Sequence, residues 1–231
     1  MYPIHYKMKK KGWMIVIKAV IFDLDNTLLD RDASVEKFIE NQYDRLFLNH
    51  TSLDKQQYIT RFIQLDNKGY TWKDKVYQQL VEEFLIEEFT WEQLLEDYIS
   101  NFKNHCIRYP SLHELLTTLK NKNYQLGIIS NGFGQFQLDN IIALKIQPFF
   151  DCILISEWEG IKKPDERIFH QAASLLNVLP NECLFVGDHI INDVEGAKNA
   201  GMKALWKNNE LVLDDNREQI VDLMEILEHI N

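Results

Sequence analysis

Cysteine is scarce in this 231-residue chain: Cys106, Cys152 and Cys183 are an odd number, widely spaced, with no CxxC pair. That usage excludes a disulfide framework and a thiolate zinc site; the three read as buried or idle thiols and a cytoplasmic location is expected. Basic residues are also in deficit, 25 Lys and Arg against 35 Asp and Glu, for a formal charge of −10. A chain so acidic offers no basic face to a phosphate backbone, which argues against a nucleic-acid polymer or an anionic membrane as partner. Long apolar runs are absent too. The basic cluster Lys7, Lys9, Lys10 and Lys11 precedes the apolar Trp13–Ile17, but Lys18, Asp23 and Asp25 follow at once. The run has no small-residue cleavage site and is far short of a membrane span. Residues 1–13 therefore read as a flexible N-terminal tail, with Met8 and Met14 as alternative starts.

What is there is an ordinary globular mix, 45% hydrophobic, in a chain long enough to bury its core without staples. Ile15–Leu24 is nearly continuously apolar and β-branched, the pattern of a central parallel strand buried on both faces. From about Ala33 to His105 four amphipathic helical patterns follow one another. They are carried by Val35, Phe38, Ile39 and Tyr43; by Tyr58, Phe62 and Leu65; by Trp72, Val76 and Leu80; and by Trp91, Leu94 and Tyr98. Asn67-Lys68-Gly69 stops the second helix, and Thr90 with Gln93 forms a capping box for the fourth. The aromatic stripes are read as helix-packing core.

After Tyr109-Pro110 strands and helices alternate: helix 112–122, strand 125–129, helix 136–144, strand 152–155, helix 166–176, strand 183–186, helix 194–200, strand 203–206 and a final helix 217–229. Alternation of this kind builds βαβ units and a parallel sheet. The expected fold is α/β: a doubly wound, Rossmann-like parallel-sheet core of residues 14–31 and 107–231, with an all-helical cap of residues 32–106 inserted after the first strand.

Ligands of such sheets bind beyond the carboxyl ends of the strands. Three of those ends carry polar clusters, Asp23/Asp25/Thr27, Ser130/Asn131 and Asp188/Asp193, and a loop with Lys163 follows a fourth strand. Two carboxylates two residues apart repel each other and call for a cation or a proton. With Asp188 they form the hard-oxygen set suited to Mg²⁺. Thr27 and Ser130 offer hydroxyl donors; the backbone N–H groups of Asn26, Thr27, Asn131 and Gly132 are candidates for an anion-holding turn; Lys163 adds a fixed positive charge.

The segments DLDNTLLD, IISNG, GIKKPDERIF and FVGDHIINDVEGAKNAG, each after its strand or loop and in this order, resemble the four motifs of the haloacid dehalogenase-like hydrolases. The resemblance runs from about Ile15 to the end of the chain, and the helical insertion sits where capped members carry theirs. It implies that Asp23 is a nucleophile forming an aspartyl-phosphate. Asp25 would be the general acid/base, its backbone carbonyl also binding Mg²⁺. Thr27 would position this loop, with Thr27, Ser130, Asn131 and Lys163 holding the phosphate. Asp188 would be a direct metal ligand, and Asp193 an outer acid orienting metal waters or the lysine. Asn26 replaces a frequent glycine, and His189 stands where a small residue is frequent; no role is assigned to it. The expectation is a Mg²⁺-dependent phosphomonoester hydrolase acting on a small phosphorylated metabolite, a nucleoside monophosphate or sugar phosphate among the candidates, as a monomer or weak homodimer. Three other readings stay open: a phosphosugar mutase, a 2-haloacid dehalogenase, and a catalytically silent binding protein. Asp25 and the carboxylate set argue against the dehalogenase.

Overall fold

The computed structural model describes residues 16–48, 53–210, 212 and 218–230. Expectations about the N-terminal tail and the Lys7–Lys11 run lie outside them.

Among the described residues, six parallel strands form one sheet in the order β3-β2-β1-β4-β5-β6. They are β1 (Ala19–Phe22), β2 (Gln125–Ser130), β3 (Cys152–Ile155), β4 (Cys183–Gly187), β5 (Lys203–Lys207) and β6 (Gln219–Ile220). β1 is central, pairing Ala19 with Gln125 on one side and with Cys183 on the other. Its side chains alternate between two cores, which is why its sequence is apolar throughout. Val20 and Phe22 join Leu126, Ile128, Leu184 and Val186 on one face; Ala19 and Ile21 join Ile129, Leu154 and Phe185 on the other.

Helices cover both faces. α8 (Glu166–Leu175) and α9 (Gly196–Asn199) supply Ile168, Phe169, Ala172 and Ala197 to the second core. α5 (Leu112–Asn121), α6 (Gly134–Ala143) and α10 (Ile226–His229) supply Leu115, Ile141 and Ile226 to the first. A short α7 (Ser156–Glu159) follows β3.

Between β1 and β2 lie α1 (Arg31–Leu46), α2 (Lys55–Asp66), α3 (Lys73–Glu83) and α4 (Trp91–Asn101), packed on one another. Most of their aromatic residues are core: Phe38, Phe47, Tyr58, Phe62, Tyr77, Tyr98 and Phe102 are buried, but Trp72, expected in the same core, is exposed at the start of α3. Gln42 is buried among them with every amide group satisfied, donating to Leu94 O and Asp97 Oδ2 and accepting from Tyr77 Oη–H at 2.8 Å. The Thr90–Gln93 capping box forms, with both reciprocal hydrogen bonds present. Asn67, Lys68 and Gly69 all take positive φ where α2 stops. The two chain crossings between bundle and sheet pair with each other: Leu29 bridges Arg108, and Asp30 N–H donates to Ile107 O at 2.8 Å.

Three expectations need correction. The final helix 217–229 is instead the strand β6, a 3₁₀ turn at Leu223–Glu225 and the one-turn α10. Ile220, Leu223 and Ile226 are all buried, so a period near three was legible, but the sheet edge beside β5 captured the first of them as a strand. The helix placed at 194–200 begins earlier, as a π-helical turn over Ile190–Glu195. The first strand is shorter than its apolar run, because Leu24 already turns back: the N–H groups of Thr27, Leu28 and Leu29 all donate to its carbonyl.

Candidate active site

Asp23 follows β1, Ser130 ends β2 and Asp188 follows β4, so three neighbouring strands deliver their polar residues to one sheet edge. It is also the edge where the strand order reverses, with β2 on one side of β1 and β4 on the other.

Lys163 reaches in from the loop between α7 and α8 and is buried. Its Nζ lies 2.6 Å from Asp23 Oδ1 and 2.7 Å from Asp193 Oδ1. Burial alone would lower its pKa, but Asp193 and Asp23 more than reverse that, so the ammonium stays charged. Asn131 fixes the loop that carries it: its amide Nδ2 donates to Lys163 O at 3.0 Å and its Oδ1 accepts from Lys163 N–H at 2.9 Å. The Lys163–Pro164 peptide is cis. Thr27 Oγ1 donates to Asp23 Oδ2 at 3.2 Å, tying the nucleophile candidate to its own loop.

Asp193 closes the other side. Its Oδ2 accepts from His189 N–H at 2.9 Å, which folds the segment after β4 back on itself. Gly187 makes this possible, since a Cβ there would lie 2.5 Å from the Asp193 carboxyl. His189 acts as a cap: its ring Nδ1 accepts from Ile191 N–H and Asn192 N–H at the start of the π-helical turn.

Asp23, Asp188 and Asp193 each place a carboxylate oxygen within 4.8 Å of the others, a cluster able to hold a metal ion. Their electrostatics ask for one. Burial pushes the Asp23 carboxyl well above its ordinary range, against the pull of Lys163 and with help from Asp193, Asp188 and Asp25. Burial and then Asp193 push Asp188 up to about 7. One ammonium does not neutralise this many carboxylates, and hard oxygen donors without His or Cys suit Mg²⁺.

Asp25 sits apart from that cluster. Burial raises its pKa, opposed by Arg31 and by the hydrogen bond from Gln137. Gln137 Nε2 donates to Asp25 Oδ2 at 2.6 Å and to Ser130 Oγ at 3.0 Å. No motif points to Gln137; the one signal is a glutamine on the buried face of α6, seven residues after Ser130.

The anion-holding turn needs correction. Asn26 N–H donates to Leu29 O, Thr27 N–H to Leu24 O and Gly132 N–H to Ser156 Oγ, so these three groups are already satisfied. Asn26 does take the left-handed conformation, φ 57°, and its side chain accepts from the N–H groups of Arg31 and Asp32. Glu157 accepts from Gly134 N–H at 2.7 Å at the start of α6, and Glu159 accepts from Gln171.

The helical bundle overhangs this edge. Trp72 meets Phe133 at 4.8 Å between ring centroids, Tyr70 meets His189 at 6.1 Å, and Tyr98 stacks on Phe136 at 5.6 Å. Arg31 and Lys73, both felt electrostatically at Asp25, are joined through Asp66, which accepts both Arg31 Nη groups and the Lys73 ammonium.

A parallel sheet with an acidic, lysine-bridged carboxyl edge under a helical bundle is the arrangement of a phosphoryl-handling hydrolase. The profile of the haloacid dehalogenase-like hydrolases matches residues 20–207, and the chain belongs to that family. It is 31% identical to the glyceraldehyde 3-phosphate phosphatase of Pyrococcus furiosus, over 93% of this chain and 95% of the relative. It is 30% identical to the N-acylneuraminate-9-phosphatase of Mus musculus, over 83% of each chain. Among solved structures, a phosphatase of the family from Thermococcus onnurineus superposes with a TM-score of 0.65 at 26% identity, covering 92% of this chain and 97% of that one. Within the family, this chain is a phosphomonoester hydrolase.

Proposed function

We propose that the chain hydrolyses a small phosphorylated metabolite in the cytoplasm through an aspartyl-phosphate on Asp23, with Mg²⁺ as cofactor and residues 32–106 as the cap over residues 14–31 and 107–231. The carrying observation is Lys163 held between Asp23 and Asp193 beside Asp188.

In this reading Asp23 attacks phosphorus as the bond to the leaving oxygen breaks. The electron pair of that bond goes to the leaving oxygen, which takes a proton from Asp25. Burial keeps Asp25 a better acid store than a free carboxyl. Water then forms the new bond to phosphorus, gives its proton to Asp25, and Asp23 leaves with the electron pair of its own bond. Lys163 and the Ser130 hydroxyl offset charge on the phosphoryl oxygens. Thr27 holds Asp23 in place, and Asn131 acts by fixing the Lys163 backbone. Asp23, Asp188 and the Asp25 carbonyl would hold Mg²⁺, whose charge would stabilise the transferring phosphoryl group. Asp193 orients Lys163 from behind. The cap covers the edge and excludes bulk water during transfer.

The relatives' substrates, glyceraldehyde 3-phosphate and N-acylneuraminate 9-phosphate, frame the first panel to test. Phosphate release from that panel and from p-nitrophenyl phosphate is expected to require Mg²⁺ and to fall more than a thousandfold in Asp23→Asn. Metal-independent turnover, or retention of activity in Asp23→Asn, would overturn the mechanism. A rise in unfolding temperature on adding Mg²⁺, lost in Asp188→Asn, checks the metal site without relying on activity.

A further inference from the structure

Gln137 belongs to none of the four motifs, yet it touches two of them. It is 3% exposed on α6, and its Nε2 bridges Asp25 Oδ2 and Ser130 Oγ. Its other end is also fixed: Oε1 accepts from Asn140 Nδ2 at 3.1 Å, and Asn140 is fully buried one turn further on. Asn140 Oδ1 in turn lies 3.5 Å from Cys106 Sγ. Burial pushes the Cys106 thiol up to about 12, so it stays protonated, with Asn140 Oδ1 the nearer of its two acceptors and Phe102 O the other at 3.9 Å. The chain therefore has one direction, from the Cys106 thiol through Asn140 and Gln137 to Asp25, and each amide has its donor end set by its neighbour. It starts at the second crossing between bundle and sheet, beside Ile107, whose N–H donates to Ser34 Oγ.

The consequence is chemical. An N–H facing Asp25 Oδ2 bars a proton from that oxygen, so the transferable proton belongs on Oδ1. Ser130 Oγ accepts from the same amide, so its own hydrogen is left to donate elsewhere. We propose that Gln137 is the positioning residue of the acid/base step: it assigns the proton to Asp25 Oδ1, with Asn140 and Cys106 locking the amide. The inference rests on the reading of Asp25 as the general acid/base. In the step it serves, the bond from phosphorus to the leaving oxygen breaks, its electron pair stays on that oxygen, and the Oδ1 proton follows.

The test exploits the leaving group. An alkoxide needs the proton; p-nitrophenolate departs without it. First-turnover release is measured for the best alkyl phosphate of the panel and for p-nitrophenyl phosphate, in wild type, Gln137→Met, Asn140→Leu and Asp25→Asn. Gln137→Met is expected to slow release from the alkyl ester about a hundredfold, near the lower range of acid/base contributions, with KM little changed. Nitrophenolate release should change less than about threefold. Asn140→Leu should show the same pattern at about tenfold. Equal losses on both esters would mean a merely structural role, and an unchanged alkyl-ester rate would remove the role altogether; either overturns the proposal. Selective loss in Asp25→Asn but not in Gln137→Met sinks the Gln137 proposal alone, while alkyl-ester release intact in Asp25→Asn sinks the acid/base reading beneath it. A second readout needs no turnover or Gln137 variant: the Gln137 side-chain amide signal in a ¹⁵N-labelled protein should move in Asp25→Asn and in Cys106→Ala, and an unmoved signal in both contradicts the relay.

Discussion

Lys163 shows how much one side chain carries. It is the buried cation among Asp23, Asp193 and Asp188, with its backbone clasped by Asn131. Lys163→Met leaves two buried carboxylates facing each other without their ammonium, and breaking a buried pair typically costs about 3–5 kcal/mol. We expect a loss of that size in urea unfolding of the metal-free protein, together with loss of turnover. A stability change under about 1 kcal/mol would show that the carboxylates relax by protonation instead.

At the scale of elements, the segment after β4 is bent by one missing side chain. Gly187 lets Asp193 return over the strand end, where Oδ2 takes the His189 N–H and Oδ1 meets Lys163. Gly187→Ala forces a Cβ to 2.5 Å from that carboxyl, and overpacking of this kind costs about 1–3 kcal/mol. The displaced carboxyl also releases Lys163. Turnover should therefore fall at least tenfold even where the variant stays folded, a combination that unfolding curves and phosphate release measured together will show. Gly160→Ala is the comparison: φ is +64° there, but no atom of the described residues lies within 4 Å of the added Cβ, so it should affect stability and leave turnover unchanged.

For the whole molecule, the question is what keeps the bundle's charges organised over the sheet edge. Burial raises the Asp66 carboxyl, but Arg31 and Lys73 together outweigh it and hold the carboxyl below its ordinary value of 3.8. A depressed carboxyl adds stability that is fully present above the unfolded-state pKa and is lost as pH falls through the lower folded-state value. Asp66→Asn should therefore be less stable than wild type at pH 7, by about 3 kcal/mol, with the gap shrinking as pH drops below about 4. Urea unfolding of both proteins at pH 7 and pH 3 checks this; a gap independent of pH would assign the loss to packing alone.

Local pattern suffices for the strands buried on both faces, the four amphipathic helices between the first two strands, and the polar residues at three strand ends. Those follow from local periodicity and from abrupt apolar-to-polar boundaries such as Ile21-Phe22-Asp23, which survive whatever packs around them. The remaining features depend on partners distant in the chain. Gln137 reaches Asp25 across 112 positions of chain, and Lys163 reaches Asp23 across 140, distances over which no spacing rule operates. The N–H groups of Asn26, Thr27 and Gly132 looked free in the sequence because their acceptors, Leu29 O, Leu24 O and Ser156 Oγ, are assigned by the turn and by the neighbouring strand's continuation. β6 exists because β5 offers an open edge to a segment whose own pattern reads as helix. Periodicity records which face a residue turns inward; only the folded chain records which partner it finds there.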